Sequence, residues 1–181
     1  MRCLQRGNLI FSVLIFLIVF LDQISKFLVK FFLFPYESIT ILGDFLRFTY
    51  IENSGIAFGI DTSDYHLFVT LLTVITILFL FYYSSTLKKE NHYEKIPLSL
   101  IIGGAIGNCI DRIFVLFPTT GYNGVVDFID MPNVLYYIGL MDNPRWFIFN
   151  IADSSITIGL VIYFFYQYKI ENSHNESSRN I

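Results

Sequence analysis

The 181-residue chain is 54% hydrophobic and 18% aromatic, has a mean hydropathy of +0.57, and is only 15% charged. Soluble domains carry roughly 25% charged residues, so this composition, with several long apolar runs, predicts a membrane protein. The net charge of -3 and the lack of a basic patch argue against a nucleic-acid partner, while 20 Phe and 12 Tyr fit lipid contact and interfacial belts.

Crossing a hydrocarbon core takes about 20 helical residues, and four segments meet that length. The first runs from Leu9 to Phe34 and carries Asp22, Lys26 and Lys30. Arg2 and Arg6 before an apolar run also suit a cleaved signal peptide, but no small-residue cleavage pattern follows Phe20. Asp22 and Lys26 stand four apart, on one helix face and in the favourable order. The pair reads either as a device fixing helix orientation or as part of a site at the outer end. Cys3 and Cys109 lie in different segments, so no disulfide is expected and both read as small apolar fillers or free thiols.

Between Ser38 and Ile60, imperfect alternation (Ile39, Ile41, Phe45, Arg47, Phe48, Tyr50, Ile51) and the turn signals Gly43-Asp44 and Asn53-Ser54-Gly55 predict a small sheet. Asp44, Arg47 and Glu52 exclude a membrane span there, and its backbone must be paired or wet. The second span covers His66 to Leu87. Pro97 opens the third, which continues to Phe117. Its glycines, Gly103, Gly104 and Gly107, form a small-residue stripe for close helix approach. Asn108, Asp111 and Arg112 share one face, and an Asp111–Arg112 couple with Asn108 is expected to position another element.

The segment from Tyr122 to Arg145 contains Val125-Val126-Asp127-Phe128, a nearby competing acid at Asp130, and a short apolar piece, Val134–Leu140, between Pro132 and Pro144. That piece is expected to form an interfacial helix or lid. The fourth span runs from Trp146 to Tyr168, with Asn150 and Asp153 on one face near its start. There the helix dipole favours a carboxylate, so Asp153 serves equally as a cap, as a partner for Arg112, or as a reacting group. The polar remainder, residues 169–181, is expected to be a disordered tail.

Lysine and arginine orient the spans. Arg2, Arg6, Lys88, Lys89, Lys95, Lys169 and Arg179 predict cytoplasmic termini and a cytoplasmic second connection, with residues 35–65 and 118–145 facing outward. Carboxylates near bilayer depth are costly and mark functional sites. Asp127 and Asp153 arrive at the same outer depth from separate segments, which suggests an aspartyl protease dyad. A small proton-coupled transporter is the rival reading, since intramembrane acids also build proton relays, although no internal repeat is visible. A non-catalytic assembly factor is a third.

Five blocks taken together resemble the lipoprotein signal peptidase (type II signal peptidase) family of bacteria. They are Asp22-Gln23-Ile24-Ser25-Lys26, Asn53-Ser54-Gly55-Ile56-Ala57-Phe58, Gly103-Gly104 through Asn108 to Asp111-Arg112, Val125-Val126-Asp127-Phe128, and Phe149-Asn150-Ile151-Ala152-Asp153. The resemblance implies a single membrane domain over residues 1–168: a mainly α, four-transmembrane-helix bundle with an outer-face sheet cradle and a short interfacial helix. It implies Asp127 and Asp153 as catalytic, which demotes Asp130. Supporting roles fall to Asp22, Lys26, Asn53, Gly104, Asn108, Asp111, Arg112, Asn150 and Ala152. The implied reaction removes signal peptides from diacylglyceryl-modified prolipoproteins at the bacterial inner membrane, cleaving before the lipidated cysteine. Neither metal nor organic cofactor is needed, membrane lipids are the surroundings, and a monomer is expected. Two departures stand out: Ile56 occupies a position where a smaller residue is common, and Met131–Arg145 is longer than usual.

Overall fold

The computed structural model describes residues 2–55, 63–87 and 94–179, with side chains described for 8–55, 64–87, 94–170 and 172. Ile56, Ala57, Lys88 and Lys89, and the side chains of Arg2, Cys3, Arg6 and Arg179, lie outside that description. Along the chain come α1 (Arg2–Phe32), β1 (Ser38–Leu42), β2 (Leu46–Asn53), α2 (His66–Thr86), α3 (Lys95–Val115), β3 (Val125–Asp130), α4 (Val134–Tyr137) and α5 (Ile151–Arg179). Among the described residues, three helical segments are long and apolar enough to cross a membrane: Asn8–Phe32, His66–Thr86 and Lys95–Val115. The fourth long helix, α5, is more polar, with Asp153, Ser154, Ser155 and Thr157 in its first turns and Gln167 further along.

α3 is the central helix, packing on α1, α2 and α5. Its glycines make this possible. A Cβ on Gly104 would meet the Ala152 carbonyl and lie 2.5 Å from Ser155 Oγ, and one on Gly107 would lie 2.6 Å from Asp22 Oδ2. Pro97 falls in the first turn of α3, where its missing N–H costs no helical bond.

The strands form one antiparallel sheet in the order β1-β2-β3. Ile51 faces Asp127 and Asn53 faces Val125 across the β2–β3 pair, with a register shift between Phe48 and Ile51. Val126, Phe128 and Tyr50 pack with Val29 and Leu33, which seats the sheet on the last turns of α1. Phe48 and Phe128 meet edge to face at 5.4 Å. Asp127 therefore sits on a strand clamped between α1 and β2.

Three expectations need correction. Trp146–Asn150 is extended rather than helical, because Phe149 exchanges backbone hydrogen bonds with Ile129 and so lengthens the sheet. The helix begins only at Ile151. The segment expected to be a disordered tail is helical to Arg179. Once a long helix is nucleated, each added residue gains a backbone bond, even in a polar run. Finally, the loop after Tyr122 contains β3, a third strand beyond the region 38–60.

Candidate active site

Lys26 organises the centre. Its ammonium, 1% exposed, has three N–H bonds and no acceptor. They meet Asp22 Oδ2 at 2.8 Å, Asp111 Oδ2 at 3.0 Å and Asn108 Oδ1 at 2.9 Å. Because the lysine only donates, the Asn108 carbonyl must face it, and the Asn108 amide must turn the other way. That amide donates to Asp153 Oδ1 at 2.7 Å.

The start of α5 is a reciprocal cap. Asn150 Oδ1 accepts from the Asp153 N–H at 2.8 Å, and Asp153 Oδ2 accepts from the Asn150 N–H at 3.2 Å. The Asn150 amide is thereby pointed away from the cap, to Asp127 Oδ1 at 2.7 Å and Asn108 Oδ1 at 3.0 Å. A third N–H of the α5 start, from Ala152, donates to Asp22 Oδ1 at 2.9 Å. Asp22 thus satisfies a donor that the helix itself cannot. Asn53 Nδ2 donates to the other oxygen of Asp127 at 3.1 Å.

Asp127 and Asp153 both line a cleft of about 950 Å³. Its walls include Ile51, Glu52 and Asn53 of β2, Val69, Leu72, Thr73 and Thr76 of α2, Ala105, Asn108 and Arg112 of α3, the extended Trp146–Phe149, and Ser154, Ile156, Thr157 and Ile158 of α5. The threonine hydroxyls of α2 donate back to carbonyls one turn earlier, so this wall presents mainly methyl groups. Burial raises Asp127 to about 7, and the neighbouring Asp153 charge adds to the rise. Asn53, Lys26 and Asn150 oppose it.

Every supporting residue singled out from sequence joins this arrangement, but two do so differently. Asp111 and Arg112 form no couple, since adjacent helical residues diverge by about 100°. Asp111 turns to Lys26 and to the Val126 N–H at 3.0 Å, holding β3, while Arg112 lines the cleft. Among the described residues the Arg112 guanidinium has no hydrogen-bond or ion-pair partner. Asp130 is engaged elsewhere: Arg145 Nε and Thr49 Oγ1 donate to it at 2.8 and 3.0 Å.

Sequence reasoning gives no role to Gln23, whose amide bridges Asp22, the Gly107 carbonyl and Asp111. Its position beside Asp22 in an apolar helix is the signal that singles it out. Among the described residues, no three of His, Cys, Asp and Glu converge as metal ligands.

A family model described as Signal peptidase (SPase) II matches residues 14–169. The lipoprotein signal peptidase of Borrelia hermsii is 36% identical over 179 residues, covering 96% of this chain and 98% of that protein. The lipoprotein signal peptidase of Chlorobium phaeobacteroides is 37% identical over 152 residues, covering 82% and 84%. A solved bacterial membrane enzyme, determined by the in meso method at 2.3 Å resolution, superposes with a TM-score of 0.73 at 31% identity, covering 88% of this chain and 87% of that one.

Proposed function

The chain belongs to the signal peptidase II family, and from that premise we propose that it processes diacylglyceryl-modified prolipoproteins by an aspartyl mechanism at Asp127 and Asp153. The observation that carries this reading is the double duty of Asn150. One side chain caps Asp153 and holds Asp127, so acids from β3 and α5 share one cleft.

Two neighbouring carboxyls do not both ionise readily and share one proton near neutrality. The elevated Asp127 is where that proton rests most readily, although the pair titrates as a unit. The ionised partner takes a proton from water as the oxygen attacks the scissile carbonyl, and the protonated partner donates to the carbonyl oxygen. The tetrahedral intermediate then returns that proton to the donor. The acid formed in the first step protonates the leaving nitrogen as the carbon–nitrogen bond breaks. The products are a signal peptide with a free carboxylate and a lipoprotein with a free cysteine amine.

Arg112 offers unpartnered donors to substrate carbonyls across the cleft. Asp22, Lys26, Asn108, Asp111, Asn150 and Ala152 hold the frame, and Gly104 lets α3 and α5 close on it. The methyl-lined wall of α2 suits acyl chains, and a lipid anchor would deliver the bond to the site as an intramolecular partner.

For localisation, α5 serves as the fourth span of an inner-membrane protein. The ends of α1 and α3 and the starts of α2 and α5 meet at the site, which supports a reading with the start of α1 and the end of α5 on the opposite side. Lys95 and Lys169 on that side support a cytoplasmic assignment. Purified protein incubated with a diacylglyceryl precursor is expected to release the signal peptide as a mobility shift. A wild-type protein that leaves this precursor intact defeats the reading.

A further inference from the structure

We propose that Glu52, latched to Lys30 and Asn123, is a positioning residue that holds Asn53 against Asp127; this deepens the aspartyl reading above and rests on it. Three separate pieces of chain converge on the Glu52 carboxylate. Lys30, from the last turns of α1, pairs with Oε1, and the Tyr50 hydroxyl donates to the same oxygen at 2.7 Å. The backbone N–H and side-chain amide of Asn123 both donate to Oε2 at 3.0 Å. Lys30 also sits 3.8 Å over the Tyr122 ring and donates to the Gly121 carbonyl at 3.2 Å. The latch therefore pins the connection between α3 and β3 onto β2.

That connection presses directly on Asn53. A Cβ on Gly124 would lie 2.5 Å from the carbonyl carbon and oxygen of Asn53, so nothing separates the two backbones. Asn53 Oδ1 is occupied by the Gly55 N–H at 2.9 Å, which leaves Nδ2 for Asp127 Oδ2 at 3.1 Å. An N–H···O bond spans about 2.7–3.2 Å, so a displacement of a few tenths of an ångström breaks this one. The latch supplies the restraint that such a bond requires.

The sign of the effect separates positioning from direct charge. Asp127 is faced by Asn53 from β2, Lys26 from α1, Arg112 from α3, and Asn150 and Asp153 at the start of α5. Lys30, Tyr50 and Tyr122 surround Glu52 itself. Removing the Glu52 charge through space would make Asp127 easier to ionise. Losing the Asn53 bond makes it harder, because that bond favours the carboxylate.

The test is the kcat, KM and pH profile of Glu52→Gln on a diacylglyceryl precursor, beside wild type, Lys30→Arg and Asp127→Asn. Expected are an approximately tenfold loss in kcat with KM within about twofold, and one limb of the profile moved to higher pH by about half a unit. Lys30→Arg, which keeps the ion pair, retains most of the activity. Wild-type kcat, a change confined to KM, or a limb moved to lower pH overturns the proposal. Should Glu52→Gln not fold, the exposed Asn123→Ala decides: a two- to threefold loss in kcat supports the latch, and wild-type kcat overturns it. A wild-type protein that fails to cleave defeats the peptidase reading, whereas a cleaving wild type matched by Glu52→Gln defeats the latch alone.

Discussion

Asp127 is nearly free of solvent at 1% exposure, and its two oxygens are held by neutral amides rather than by a cation. Such a carboxyl keeps its proton in the folded chain after the unfolded chain, near 3.8, has released it. The folded-state value is raised, so the group's contribution to stability is intact below about pH 4 and is lost as pH climbs to about 7. Wild type is expected to lose thermal stability relative to Asp127→Asn across that window, by an amount on the order of a few kcal/mol. Parallel unfolding scans of both proteins at pH 4 and pH 7 check this, and equal shifts contradict it. Turnover separates the acids further. Asp127→Asn and Asp153→Asn are each expected to lower the rate by about a thousandfold or more, while Asp130→Asn, bound to Arg145 and Thr49, stays within a few-fold. The residue types of the site were readable because charges and amides stand out in apolar helices. Their pairing was not: Asp111 and Arg112 are neighbours in sequence, yet one faces Lys26 and the other the cleft.

At the scale of elements, the tightest joint is α3 against α5. A methyl on Gly104 would collide with the Ala152 backbone and Ser155, and helix backbones move only together. Gly104→Ala is expected to cost about 1–3 kcal/mol of stability and to lower activity by displacing the Asn150 cap. Thermal unfolding and turnover of the purified variant measure both; a variant as stable and active as wild type would show that the joint has slack. The glycine stripe was legible as a helix contact, as were α2, the first turn of α3 and the β1–β2 hairpin. β3 was not, because its two aspartates break a short apolar run whose burial on both faces appears only in the assembled sheet. The start of α5 is hidden in the sequence for a related reason. Trp146 to Phe149 is as apolar as a span, and its backbone pairing, Phe149 with Ile129 and Trp146 with Met131, keeps it extended.

For the molecule as a whole, the segment between the two acids is closed at its base. Trp146 donates to the Met131 carbonyl at 2.9 Å, and Asn133 donates to the carbonyls of Pro144 and Asn143. Arg145 reaches the Asp130 side chain and carbonyl and also the Asp44 carbonyl, tying the segment to the β1–β2 turn. Arg145→Ala is expected to speed proteolysis within residues 132–144 about tenfold or more, read by timed digestion, because all three anchors go together. Unchanged digestion would mean that the backbone pairing alone holds the segment.

α2 leans on α3 and meets α5 through the hydroxyls of Tyr83 and Tyr163, 3.0 Å apart, while the cleft separates the same two helices around Thr73 and Thr157. The pair is a wedge stitched at its narrow end. On the proposed reading, an acyl chain would enter sideways at the wide mouth, where Asp127 and Asp153 lie, and would meet a closed seam at the stitched end. The side of the bilayer from which cargo arrives would then be set by the splay of two helices, before any residue reads it.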